Sequence, residues 1–176
     1  MKEVEVNKQA KLSEHLASPS EATLSHPNKL DGLRLSPHFS LGEMTKTSYH
    51  PLDGNIPSWV HIENLRRVCG WLEMLRSEWN NRYGEGDDPI IINSGFRSPD
   101  TNQLCGGARN SNHLTGCAAD IRCKDKVQAI RYACILLDIA DGKKQDFDEL
   151  ILEKRGTTIW VHFAVRPRGN RRYVHF

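Results

Sequence analysis

This 176-residue chain has no long apolar run, no paired cysteine motif and no excess of either charge sign. No stretch approaches the ~20 apolar residues needed to cross a bilayer, so membrane insertion is not expected. Met1–Lys11 carries charges throughout and lacks the apolar centre of a signal peptide. Synthesis in the cytoplasm without a signal peptide is therefore the expectation. Lys plus Arg total 24 against 22 Asp plus Glu, a formal net charge of +2. A bulk nucleic-acid binder carries a large basic excess, so that class is set aside. The five cysteines are odd in number, and none stands in a C-x-x-C pair. Free thiols are the expectation, and the missing pairs argue against a thiolate zinc site.

Aromatic residues are absent before Phe39. Residues 1–35 mix Lys, Glu, Ser, Pro and Asn without a sustained apolar period, and read as a tail or weakly docked arm. The domain proper is assigned to 36–176. Ile62, Leu65, Val68, Leu72, Leu75 and Trp79 recur at helical spacing, which predicts an amphipathic helix over 58–82. Pro89–Asn93 reads as a short buried strand. Residues 94–116 hold Gly95, Gly106, Gly107 and Gly116 and read as a long irregular segment, of the kind that usually carries function. Cys117–Arg122 reads as a strand, and 125–140 as a helix whose apolar face is Val127, Ile130, Cys134 and Leu137. Phe147–Glu153 and Thr158–Val165 form a predicted hairpin around Gly156, with Arg172–Phe176 as an edge strand. The class is α+β, an antiparallel sheet with helices packed on one side.

His113 and Asp120 stand seven apart. On one helix they would be separated by ~10 Å along the axis, and on one strand they would face opposite ways. They converge only if His113 sits in a loop, Gly116 turns the chain, and Asp120 points inward from the strand that follows. Read alone, the pair is far more often a surface histidine beside a strand-end carboxylate than a metal site. In Thr158–Val165, alternation puts Trp160 and His162 on one face, and a histidine there is often a hydrogen-bonded core residue. Together, two imidazoles and one carboxylate make a ligand set that leaves one coordination position for water, as in a catalytic zinc site.

The run Ser111-Asn-His-Leu-Thr-Gly-Cys-Ala-Ala-Asp120 follows Asn93-Ser-Gly-Phe-Arg-Ser-Pro99 and Asn102–Gly107 and precedes Trp160-Val-His162. This pattern resembles the D-Ala-D-Ala carboxypeptidase family of zinc peptidases. That family shares its fold with D-Ala-D-Ala dipeptidases, phage L-alanyl-D-glutamate endolysins and the hedgehog signalling domain. The similarity extends from about Phe39 to Val165, and is nearest to small phage- or prophage-type members opening with Phe-Ser-Leu-x-Glu-Met. It implies that one Zn2+ is bound by His113, Asp120 and His162. It also implies that Arg97 and Ser111 contact the substrate carboxyl or the developing oxyanion, the alternatives being a salt bridge that braces the loop for Arg97 and a turn cap for Ser111. Trp160 either lines the substrate groove or is a core residue. The implied activity is hydrolysis of stem or cross-link peptides of peptidoglycan. The implied place of action is the cell wall, reached after release by a holin or a virion, and a monomer is expected. The alternative is a zinc-bound, non-catalytic cell-wall-binding module or virion-associated protein.

One position departs from the family. Many members carry the catalytic carboxylate three residues before the last zinc histidine, where this chain has Ile159. Glu153 is the replacement candidate for the general base. A six-residue hairpin loop, Lys154–Ile159, would pair Glu153 with Trp160 and Ile151 with His162, leaving Glu153 within ~8 Å of His162 on the same face. Glu149 is the reserve on that face, and Asp148 should face away. His175, in Tyr173-Val-His-Phe176, echoes the His162 motif and is a rival third ligand.

Overall fold

A computed structural model describes residues 31–176. Residues 1–30 of the expected arm lie outside the described residues. Residues 31–35 lie against the domain: Leu35 is buried, Leu41 N donates to Leu33 O (2.8 Å) and Gly42 N to Asp31 O (3.1 Å). Helix α1 (Leu41–Thr45) opens on a capping box, in which Ser40 and Glu43 each accept from the other's backbone N–H. It ends with Met44 O accepting from Phe96 N (2.7 Å), a contact that reaches the functional loop.

Helix α2 (Trp59–Arg82) buries the six residues its sequence period selects. Each such side chain contributes about 1.5–3 kcal/mol through burial. Helix α4 (Lys126–Lys143) differs from expectation. Val127, Ile130 and Cys134 are exposed, and the buried face is Ala129, Tyr132, Ala133, Leu136, Ile139 and Ala140. Both sets fit a helical period, so periodicity alone does not choose between them. The small alanines admit close packing, and the Tyr132 ring sits 4.9 Å from that of Trp79 on α2. Between them, the segment expected to be irregular contains a short helix α3 (Pro99–Leu104) and a 3-10 turn (Asn112–Thr115).

Five strands form one sheet: β1 (Ile92–Ser94), β2 (Ala118–Cys123), β3 (Glu149–Arg155), β4 (Thr158–Ala164) and β5 (Tyr173–His175), in the order β1-β2-β4-β3-β5. The sheet is mixed, which corrects the antiparallel expectation. β5 runs parallel to β3, with Glu149 beside Tyr173 and Ile151 beside His175. The cause is occupancy: β2 already holds the other edge of β4, so the returning chain takes the free edge of β3. The hairpin turn is also shorter than expected. Pairing continues to Arg155 and Thr158, leaving only Gly156 (φ +60) and Thr157 between the strands. The register is the expected one, with Glu153 opposite Trp160 and Ile151 opposite His162.

Alternation then divides the sheet. Leu150, Ile121, Val161 and Phe163 turn toward the two long helices and join one apolar cluster, where Trp71 meets Phe163 at 5.3 Å between ring centroids. Asp120, His162, Trp160, Glu149 and Glu153 line a cleft of about 610 Å3. Among the described residues, no helix is long and apolar enough to cross a membrane.

The face assignment of α4 is testable with one substitution made twice. Ile135 is 1% exposed and Ile130 52% exposed. Ile135→Ala is expected to cost about 2–5 kcal/mol and Ile130→Ala no more than about 0.5 kcal/mol, measured by urea unfolding. Equal losses would contradict the burial pattern.

Candidate metal centre

Three elements bring the expected ligands together. His113 lies on the 3-10 turn, whose start is capped by Ser111 Oγ accepting from His113 N (3.3 Å). Gly116 ends the turn at φ +70, and a Cβ there would lie 2.6 Å from His61 O, so both conformation and space require glycine. Asp120 follows on β2, directly opposite His162 on β4. Asp120 Oδ1 is 3.2 Å from His113 Nε2 and 3.0 Å from His162 Nδ1. One donor atom from each residue lies within 4.8 Å of the others, and the residues are only 2%, 6% and 8% exposed. Two ring nitrogens and one carboxylate oxygen, converging in a buried site, suit Zn2+.

Each ligand is held from behind. His113 Nδ1 meets Gly95 O at 2.6 Å. Gly95 is itself pressed on α1, since a Cβ there would lie 2.3 Å from Met44 O. Arg97 Nη2 donates to Asp120 Oδ2, and Arg97 Nε to Ser94 Oγ (2.8 Å). His162 Nε2 is 3.1 Å from Glu149 Oε2. Outer partners of this kind fix the orientation of metal ligands. Burial opposes the charge on Asp120, but His113 and His162 beside it outweigh that and hold its carboxyl far below the usual range. Burial likewise opposes a charged His162, yet its hydrogen bonds to Asp120 and Glu149 push it up to about 9. The His162 hydrogen bond lowers Glu149 to about 2 against the effect of burial, with help from Asn112 and Arg171.

The remaining candidates are distributed around this centre. Ser111, Arg97, Trp160 and Glu153 all line the cleft. Trp160 Nε1 donates to Glu153. Ile159 pairs with Cys123 and Lys154 and packs against the apolar cluster, on the face opposite His162. A regular strand turns the third residue back to the other face, so a carboxylate at 159 would enter the core. His175 is exposed on β5, stacked on Tyr173, and stands two strands from His162, roughly 10 Å. It is not among the converging donors.

Sequence reasoning did not single out Asn112, and it foresaw neither Asp148 as an anchor nor the partners of Arg171. Asp148 has no exposed side-chain surface; it accepts from Asn112 Nδ2 (2.7 Å) and from Arg171 Nε and Nη2 (both 2.8 Å), and forms an ion pair with Arg166, whose Nε lies 3.0 Å away. Asn112 precedes a ligand, and that adjacency was its only signal. Arg171 carried none, because its partners lie more than twenty residues away.

A sequence model of the peptidase M15 family matches residues 37–151. That span includes His113 and Asp120 and stops before His162. A 40-residue stretch is 52% identical to the zinc D-Ala-D-Ala carboxypeptidase of Streptomyces albus G. The stretch covers 23% of this chain and 16% of that relative's length.

Burial opposes the charge on Asp148, but Arg171, Asn112 and Arg166 outweigh it and lower its pKa. Its stabilising contribution is therefore present above the unfolded carboxyl value of about 4 and is lost as pH falls through the lower folded value. Asp148→Asn is expected to cost about 3–5 kcal/mol at pH 7, with the gap from wild type narrowing below about pH 4. Urea unfolding at pH 7 and pH 3 measures both; a gap independent of pH would refute the ionic account.

Proposed function

The chain belongs to the peptidase M15 family, and from that premise we infer that it is a zinc-dependent peptidase acting on peptides of peptidoglycan. The observation that carries this reading is the convergence of His113 Nε2, Asp120 Oδ1 and His162 Nδ1 at the floor of an open cleft. Zn2+ held there supplies a Lewis acid and acidifies its water to near neutrality. The D-Ala-D-Ala carboxypeptidase named above suggests the substrate class. A stem or cross-link peptide lying along the cleft would pass Ser111 and Trp160 on its way to the metal centre.

Two carboxylates share the metal-facing side of β3, and their surroundings support different roles. Glu149 sits behind His162, on Nε2, and the two nitrogens of an imidazole point in divergent directions. Glu153 lies four residues further along, on the cleft wall, with its carboxylate steadied by Trp160. In this reading Glu153 accepts the proton of the attacking water and delivers it to the leaving amine. Arg97, which already grips Asp120, presents its guanidinium to the developing oxyanion. Ile159 at the usual base position favours a second reading, a metal-bound module that binds wall peptides without cleaving them.

The test is metal content measured together with hydrolysis of purified peptidoglycan, before and after chelation. One equivalent of zinc with chelator-sensitive release of amino groups is expected. Zinc without cleavage would select the binding module, and absence of bound zinc would remove the metal centre. Glu153→Gln is expected to lower the rate by about 100-fold or more while leaving zinc content unchanged. An unchanged rate would exclude Glu153 as the base.

A further inference from the structure

Glu149 makes more contacts than its place at the start of β3 requires. Its Oε2 takes His162 Nε2 at 3.1 Å and Asn112 Nδ2 at 2.8 Å, while Oε1 takes Arg171 Nη2. Its carboxylate is thus joined to one ligand directly and, through Asn112, to the residue before another. Arg171 is in turn clamped by two parallel bonds to the buried Asp148, and the chain beyond it pairs with β3 as β5. Asn112 is held at its other end by Arg166 Nε on Oδ1 (2.8 Å). No ligand comes from residues 166–176, yet the outer frame of the centre does.

The hydrogen-bonding chemistry states what this arrangement does. An ionised carboxylate has no proton to give, so a neutral His162 must carry its single proton on Nε2. The lone pair is then on Nδ1, the nitrogen facing Asp120 and His113. At His113 the carbonyl of Gly95 imposes the opposite tautomer, with the proton on Nδ1 and the lone pair on Nε2. The two histidines are set in complementary tautomers by two acceptors of different kinds, one a backbone carbonyl and one a side chain. Only the second can be removed by substitution.

We propose that Glu149 is a positioning residue of the metal centre, fixing the tautomer and orientation of His162, and that Arg171 anchors it from the C-terminal segment. This rests on the metal-centre reading above and assigns Glu149 no proton transfer. Its effect is on the metal and not on the bond being cleaved. Removing the carboxylate frees the His162 ring to rotate or to protonate Nδ1, and both remove a donor from the site. Glutamine keeps one oxygen able to accept from Nε2, so Glu149→Gln should retain much of what Glu149→Ala loses.

The experiment uses the full chain and Zn2+ itself, titrated in competition with a chromophoric chelator, with Co2+ absorption in the visible as a report on ligand geometry. Glu149→Ala is expected to weaken Zn2+ binding by about 10- to 100-fold, with Glu149→Gln intermediate and a changed Co2+ spectrum for alanine. Arg171→Met should follow in the same direction to a smaller extent. It also keeps the test open if Glu149→Ala fails to fold, as judged by circular dichroism. Wild-type Zn2+ affinity and Co2+ spectrum in the alanine variant, or in Arg171→Met should the alanine variant not fold, would overturn the proposal. So would an intact affinity combined with glutamine and alanine variants equally dead in peptidoglycan hydrolysis, since that is the signature of a general base. A wild-type protein that binds no Zn2+ would overturn the metal-centre reading, and this proposal with it. A tight wild type with equally tight variants would overturn this proposal alone.

Discussion

The pairing of Asp120 with His162 across β2 and β4 is the constraint on which the rest of the site depends. Side chains alternate along a strand, so a slip of one residue would carry His162 to the helix-covered face and leave Val161 or Phe163 in the cleft. The apolar face enforces the register. Ile121, Val161, Phe163 and Leu150 are wholly buried against the helices, and moving them into water would cost far more than a site of three polar residues could return. The ligand geometry is therefore held by residues that never touch the ligands. The packing behind them makes the arrangement possible.

A second layer of constraint comes from the loops. The turn bearing His113 can approach the sheet only because Gly116 adopts a left-handed conformation hard against His61 O. Gly95 presses on Met44 O and offers its own carbonyl to His113. The loop after β1 is thus locked to α1, and the turn before β2 to α2, through backbone contacts that admit no Cβ, while the Gly95 carbonyl ties the two together at His113. On the other side, the buried Asp148 gathers Asn112, Arg166 and Arg171 from separate parts of the chain. A buried carboxylate with several charge-assisted partners is strongly directional, so it specifies how the C-terminal segment returns to the sheet. Near the C-terminus, Arg166, Arg171 and Arg172 form ion pairs with Asp148, Glu149, Asp141 and Asp146.

How legible this was in the sequence depended on the range of the interaction. Helix α2, the hairpin register and the loop-then-strand geometry of His113 and Asp120 follow from local period, turn residues and spacing, and the structure carries all of them. The face of α4 was not legible, because Val127, Ile130, Cys134 and Leu137 satisfy the same 3.6-residue period as the alanine-rich face that packs. Neighbouring helices decide between them, and a single helix does not contain that information. The parallel placement of β5 depends on which sheet edge is free, which is a property of the whole topology. Asp148 and Arg171 were invisible for the same reason. Their meaning lies in partners distant along the chain, and in a sequence they look like any charged pair on a surface.

Glu149 and Glu153 show how two identical side chains on one strand face come to differ. Both point to the cleft side of β3, four residues apart. Glu149 lies at the strand end where β5, the turn bearing Asn112 and the His162 ring all converge, so its carboxylate is saturated with donors and immobile. Such a group orients its neighbours well and exchanges protons poorly, because a proton arriving on it must break bonds already made. Glu153 lies toward the hairpin turn, beyond the reach of β5, with the Trp160 indole as its hydrogen-bond donor among the described residues. That leaves acceptor capacity on the carboxylate, in a cleft wide enough for a peptide. The departure at Ile159 then has a structural cause. β4 runs regular through 158–164, so position 159 belongs to the core and a carboxylate there would face away from the cleft.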